Sequence, residues 1–249
     1  MRPLIAGNWK MHGLRADLAE IESIAAWADK TGPEAEILLC PPATLIMEAA
    51  RIAAGRVAIG GQDCHSEISG PHTGDIGAEM LRDSGASAVI VGHSERRQHH
   101  GESNTLVAAK AAAALRAGLM AIVCVGETEA ERDRGDALSI CGGQIVASVP
   151  VGMTGTQLAI GYEPLWAIGS GRVPDDHEIV QMHAHIRKVL AVHLGAHGKD
   201  VRILYGGSVK PSNAREILAL PGVGGALVGG ASLDDLAFEA ILASAAAAR

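Results

Sequence analysis

The sequence predicts an α/β fold, a single (β/α)8 barrel of eight parallel strands each followed by a helix. Three observations carry this expectation. Eight short apolar runs alternate with helical patterns at roughly 30-residue intervals, the length of one strand–helix–strand unit. The runs are apolar throughout rather than alternating, as a parallel sheet covered on both faces requires. Polar and glycine-rich residues follow the runs, so closure of the sheet would gather them at one mouth. An open doubly wound sheet is the competing arrangement. Against it, no GxGxxG follows the first run and no second domain is apparent, so residues 1–249 read as one domain.

The first run, Leu4-Ile5-Ala6, ends at Gly7-Asn8-Trp9-Lys10. Leu14, Leu18, Ile21 and Ile24 then form a helical stripe, stopped by Gly32-Pro33. Ile37–Cys40 is the second run, halted by Pro41-Pro42, and a helix through Leu45, Met47 and Ile52 ends at Gly55. Val57-Ala58-Ile59 leads into Gly61-Gln62-Asp63 and a long loop around Thr73, then a short helix at Met80-Leu81. Ala88–Val91 opens into Gly92-His93-Ser94-Glu95-Arg96-Arg97, and an Ala-rich helix runs from about Asn104 to Gly118. Ala121–Val125 is the fifth run, and Thr128 with Glu131 has the spacing of a capping box. Leu158-Ala159-Ile160 is the sixth, after which Asp175 and Glu178 mark a helix start. Val201–Leu204 ends at Tyr205-Gly206-Gly207-Ser208, with a helix from about Pro211. Ala226-Leu227-Val228 ends at Gly229-Gly230, and Ser232 and Asp235 begin the last helix.

Composition excludes several classes of function. The net charge of −7, with acids and bases interspersed, argues against a nucleic-acid or anionic-membrane surface. No apolar run reaches membrane-spanning length, and Met1-Arg2-Pro3-Leu4 lacks the apolar core of a secretory leader. Cys40, Cys64, Cys124 and Cys141 have neither metal-site nor redox spacing, which fits free thiols in the cytoplasm. Only six residues are aromatic, and four of them (Trp9, Tyr162, Trp166 and Tyr205) fall in the polar and glycine-rich stretches, which singles those stretches out.

The most informative stretch is Gly161 to Gly171. A buried strand delivers Glu163 to its end, Pro164 disfavours helix at that point, and a short apolar piece with Trp166 and Ile168 closes on Gly-Ser-Gly. Such a piece is costly to leave in water and has glycines to move on, so it is expected to fold over something.

Taken together, Gly7-Asn8-Trp9-Lys10-Met11, Gly92-His93-Ser94-Glu95-Arg96-Arg97, Gly161-Tyr162-Glu163-Pro164, Tyr205-Gly206-Gly207-Ser208-Val209 and Leu227-Val228-Gly229-Gly230-Ala231-Ser232 resemble the motifs of the triosephosphate isomerase family. The resemblance spans essentially the whole chain, in order. It implies interconversion of dihydroxyacetone phosphate and glyceraldehyde 3-phosphate on the TIM-barrel fold, with no cofactor and no metal. Glu163 resembles the base, with its proton affinity raised by burial under the lid Pro164–Gly171. His93 resembles the electrophile and proton shuttle and is expected to be neutral at a helix N-terminus. The family is itself a standard worked example of such tuning of a base and a neutral imidazole, so these two roles follow from the resemblance and not from spacing. Lys10 resembles the cation beside the developing oxyanion. Asn8 would bond the substrate or hold Lys10, and Glu95 would pair with Lys10, relay charge, or form a purely structural ion pair. Gly169, Ser208, Gly229 and Gly230 resemble the residues whose amides hold the phosphate, the last two ahead of a helix start at Ser232. His99, His100, His183 and His185 are expected at the surface.

The family forms dimers through the loop around Thr73, which implies a homodimer here. His12, His72, Leu165, Ser170, Arg172 and Gly224 depart from the usual pattern, and His72 stands at a commonly aromatic place. Two other readings use the same residues: an isomerase of a four-carbon sugar phosphate, and a non-catalytic phosphometabolite-binding protein. Retention of Asn8, Lys10, His93 and Glu163 argues against the second.

Overall fold

The computed structural model describes residues 1–167 and 174–246. Strands β1 (Leu4–Asn8), β2 (Glu36–Cys40), β3 (Ala58–Gly61), β4 (Ala88–Val91), β5 (Met120–Val125), β6 (Leu158–Tyr162), β7 (Arg202–Tyr205) and β8 (Gly225–Val228) pair in sequence order, all parallel, and β8 closes on β1. Each apolar run of the sequence became a strand because both of its faces are covered.

Alternate residues of each strand serve the two faces. Leu4, Ala6, Leu38, Cys40, Ile90, Ile122, Ala159 and Leu204 fill the barrel interior, while neighbours such as Ile5, Leu39, Val89 and Val123 face the helices. Small residues set the interior fit: a Cβ on Gly60 would lie 2.9 Å from Cys40 Sγ. The outer layer comprises α1 (Leu18–Thr31), α2 (Ile46–Ala53), α3 (Ala78–Asp83), α4 (Ser94–His99), α5 (Asn104–Arg116), α6 (Glu129–Asp133), α7 (Ala137–Ser148), α8 (Asp176–His193), α9 (Ala214–Ala219) and α10 (Asp235–Ala246).

The capping signals act as expected. Glu131 N–H donates to Thr128 Oγ1 at 3.3 Å while Glu131 Oε2 accepts Thr128 N–H at 2.8 Å. Asp175 and Glu178 exchange the same pair of bonds at the start of α8. Some boundaries differ. Leu14 is exposed and precedes the helix, because a short 3-10 turn at Arg15–Asp17 intervenes before Leu18. Met47 lies within α2 but on its solvent face. The Ser232 segment is a 3-10 turn, Gly230–Leu233, and α10 starts only at Asp235.

Two histidines expected at the surface are not there. His183 is fully buried, with Nδ1 3.2 Å from the Gly222 carbonyl and its ring edge-on to Tyr162. His185 is half-buried, its Nε2 enclosed where α8 meets Gly142 of α7. Two residues apart, they do point different ways, but α8 is covered on both of those sides. His99 and His100 are exposed.

Candidate active site

All strand C-termini open on one mouth, and there the separated motifs meet. Asn8, Lys10, His93, Glu163, Ser208, Gly229 and Gly230 line one cavity of about 340 Å³. Gly169 and the lid residues 168–171 lie outside the described residues, as does Arg172.

Glu163 is held where β6 ends. Its N–H donates to the Val125 carbonyl at 2.8 Å, which keeps the backbone in the sheet. A Cβ on Gly126 would fall 1.8 Å from the Glu163 carbonyl oxygen, so only glycine allows β5 and β6 to approach this closely. Gln144 fixes Gly126 on both sides, accepting its N–H at 2.8 Å and donating to its carbonyl at 2.9 Å. The Glu163 carboxylate is 2% exposed and has three donors: Ser94 N–H at 2.9 Å, Ser94 Oγ at 3.1 Å and His93 Nε2 at 2.9 Å.

This geometry corrects one expectation. Burial raises the proton affinity of Glu163, but His93 and the two Ser94 donors outweigh it, and the carboxyl is held below its ordinary range. A buried carboxylate with three donors is a stabilised anion, so a move away from Ser94 would make it more basic.

His93 caps α4. Its Nδ1 accepts the Glu95 N–H at 3.3 Å, which assigns the ring proton to Nε2, facing Glu163. Burial lowers the ring's affinity for a second proton, and Glu163 alongside raises it by more, for a net upward direction. That proton would have to enter at Nδ1 against the Glu95 N–H, so the hydrogen-bond pattern is that of a neutral ring.

Lys10 has a left-handed backbone, φ 53°, uncommon for a residue with a side chain. Asn8 Oδ1 accepts its N–H at 3.0 Å, and Gln62 Nε2 donates to its carbonyl at 2.9 Å. The ammonium pairs with Glu95 Oε1 at 2.6 Å. Asn8, Lys10, Glu95 and His93 therefore form one connected set.

Sequence reasoning missed several supports. Ser94, Gly126, Gln144 and Gln62 hold the base and the cation, and none belongs to a residue type that announces chemistry. Asn213 Nδ2 donates to the Ser208 carbonyl at 3.0 Å and its Oδ1 accepts the Lys210 N–H at 2.8 Å, bracing that edge of the cavity. Trp166 is not a loose apolar group. It is buried in a 3-10 turn, Leu165–Ala167, where its Nε1 donates to Glu127 Oε1 at 2.8 Å and the Arg132 guanidinium lies 4.6 Å over its ring.

The fold and this mouth define a (β/α)8-barrel enzyme with a carboxylate, an imidazole and an ammonium group gathered at a glycine-lined cavity. The profile described as Triosephosphate isomerase matches residues 3–245. The triosephosphate isomerase of Afipia carboxidovorans is 57% identical, covering 97% of this chain and 96% of that protein. That of Rhodopseudomonas palustris is 55% identical over 98% and 97% of the two chains. The crystal structure of triosephosphate isomerase from Bartonella henselae superposes with a TM-score of 0.91 at 45% identity, covering 98% of this chain and 99% of that one. The chain belongs to the triosephosphate isomerase family.

Proposed function

We propose that the chain interconverts dihydroxyacetone phosphate and D-glyceraldehyde 3-phosphate through an enediolate. The observation that carries this is the convergence of Asn8, Lys10, His93 and Glu163 with Ser208, Gly229 and Gly230 on one cavity. Glu163 takes the proton from the carbon beside the carbonyl, and the C–H electron pair passes into the C–C bond as the carbonyl oxygen gains charge. Lys10 stabilises that oxygen electrostatically. His93 Nε2–H donates to it, and the imidazole recovers a proton from the neighbouring hydroxyl. Glu163 then returns its proton to the second carbon. No oxidant, metal or cofactor enters this balance.

Glu163 must first exchange both Ser94 and the His93 Nε2–H for the substrate, which turns a stabilised carboxylate into a base and frees the Nε2–H for the carbonyl oxygen. Phosphate binding falls to the amides around Ser208, Gly229 and Gly230, joined by Gly169. Closure of Pro164–Gly171, driven by phosphate binding energy, excludes water from the enediolate. Glu95 and Asn8 set the position and charge of Lys10.

The working unit is one barrel domain, residues 1–249, in a cytoplasmic homodimer. Four free, buried cysteines support the reducing compartment. Met11, almost fully exposed beside a groove that Gly74 and Asp75 also line, supports a partner subunit's loop around Thr73 docking there.

The test is a coupled assay of the purified chain with triose and tetrose phosphates. Turnover of the triose phosphates at the higher kcat/KM is expected. A preference for the tetrose phosphate, or turnover of neither, would overturn the assignment.

A further inference from the structure

Glu163 rests on supports from two different strands. His93 and Ser94, beyond β4, hold its carboxylate, and Val125, at the end of β5, accepts its N–H. The β4–β5 ladder ends at the pair Val91 and Val123, short of both supports. Past that pair, Arg97 of α4 takes over. Its Nε donates to the Gly92 carbonyl at 2.8 Å and its Nη2 to the Cys124 carbonyl at 3.1 Å. Each carbonyl belongs to the residue just before a support: Gly92 before His93, and Cys124 before Val125. The guanidinium is itself fixed from behind. Asn104 Oδ1, at the start of α5, accepts from Nη1 at 2.7 Å. Ser148 Oγ, at the end of α7, accepts from Nη2 at 3.2 Å and donates to Asn104 Oδ1 at 3.2 Å. A Cβ on Gly92 would lie 2.7 Å from Val107 and 3.1 Å from Arg97 Nη2, so the close approach needs glycine there.

All four of these acceptors are neutral. Among the described residues Arg97 pairs with no carboxylate, whereas Arg96 beside it pairs with Glu102 at 2.6 Å. Its charge is therefore left to act through space. Arg97 and Glu163 line one small cavity of about 170 Å³, with Ser94, Gly126 and Gln144. Burial lowers the proton affinity of the guanidinium, and Cys124, Glu102 and Glu163 each oppose this. The attraction is mutual: a cation that Glu163 stabilises also stabilises the Glu163 anion.

We propose that Arg97 is a positioning residue for the isomerisation, clamping together the two strand ends that carry Glu163 and keeping a positive charge behind its carboxylate. The proposal rests on Glu163 being the base. The clamp holds both supports still while the carboxylate leaves Ser94 for the substrate. Its two parts are separable. The planar fork reaches both carbonyls at once, which a lysine ammonium cannot reproduce. The charge sets proton affinity, so its loss lets Glu163 take up a proton earlier as pH falls. The groups that also face Glu163 are His93 at the start of α4, Cys124 of β5, Glu131 of α6 across the small cavity, and Lys10 and Lys210 across the larger one. All of them remain in the variants below.

The experiment measures kcat and KM against pH for the purified full chain with D-glyceraldehyde 3-phosphate, in wild type, Arg97→Gln, Arg97→Lys, Arg187→Gln and Glu163→Asp. Arg97→Gln should lower kcat roughly tenfold or more, leave KM within about twofold, and move the acid limb of kcat/KM to higher pH. Arg97→Lys keeps the charge and loses the fork, so kcat should fall while the limb stays. Arg187 donates to the Gly198 and Lys199 carbonyls at 2.7 and 3.0 Å and lines neither cavity, so Arg187→Gln should lower Tm and leave kcat and the limb unchanged. Circular dichroism checks that the variants are folded. The proposal fails if Glu163→Asp is impaired while Arg97→Gln keeps the kcat and limb of wild type, or, should that variant not fold, if Arg97→Lys keeps full kcat. It fails equally if Arg187→Gln moves the limb as far as Arg97→Gln does. An undiminished kcat in Glu163→Asp instead overturns the reading of Glu163 as base, and the proposal with it.

Discussion

Ser94 grips Glu163 twice: its main-chain N–H donates to Oε2 at 2.9 Å and its hydroxyl to Oε1 at 3.1 Å. These bonds, with His93, hold the carboxyl below its ordinary range in the ligand-free enzyme. Ser94→Ala removes the hydroxyl and keeps the amide. It should move the acid limb of kcat/KM to higher pH, because a less stabilised carboxylate takes up its proton earlier as pH falls. A pH profile of wild type and variant checks this, and an unmoved limb would contradict it.

Lys10 combines a functional ammonium with an unfavourable backbone. A left-handed residue with a Cβ costs about 1–2 kcal/mol relative to glycine. Lys10→Gly and Lys10→Ala lose the same ammonium and the same Glu95 pair, so activity should fall equally, by roughly 10²–10³ in kcat/KM. Stability should separate them, with the glycine variant more stable by about 1 kcal/mol after its greater unfolded-state entropy is counted. Denaturant midpoints of the two variants test the difference.

His183 predicts an acid weakness of the fold. Burial lowers its pKa from the ordinary 6.5 to about 4, so the unfolded chain binds its proton first as pH falls. Its contribution is fully present above pH 6.5 and is lost between there and about pH 4. The loss over that window is about 3 kcal/mol from this one group. Urea unfolding at pH 7 and pH 4.5 should show this slope in wild type and a shallower one in His183→Leu.

What is legible in the sequence follows from its physics. Continuous apolar runs such as Ala88–Val91 and Ala121–Val125 admit little besides a strand buried on both faces, and eight of them in order leave few arrangements other than a barrel. Glu163, His93 and Lys10 each stand beyond such a run, which puts them at the barrel mouth, and their roles come from the resemblance of the motifs around them to the triosephosphate isomerase family. The burial of His183 is not legible, because periodicity marks the faces of a helix and not which of them the rest of the chain covers. The proton affinity of Glu163 runs opposite to the sequence expectation because Ser94, 69 residues away, supplies donors that only folding brings near. Gly126 gives no local sign either, since its need for a missing Cβ arises from the Glu163 carbonyl just past the end of the neighbouring strand.

The central claim is that Glu163 is the base, and its most direct test is kcat for Glu163→Asp with D-glyceraldehyde 3-phosphate. The change keeps the carboxylate and withdraws it by one methylene. A fall of roughly 10²–10³ in kcat is expected, with the affinity for a phosphate-bearing inhibitor nearly unchanged. An undiminished kcat would show that another group removes the proton.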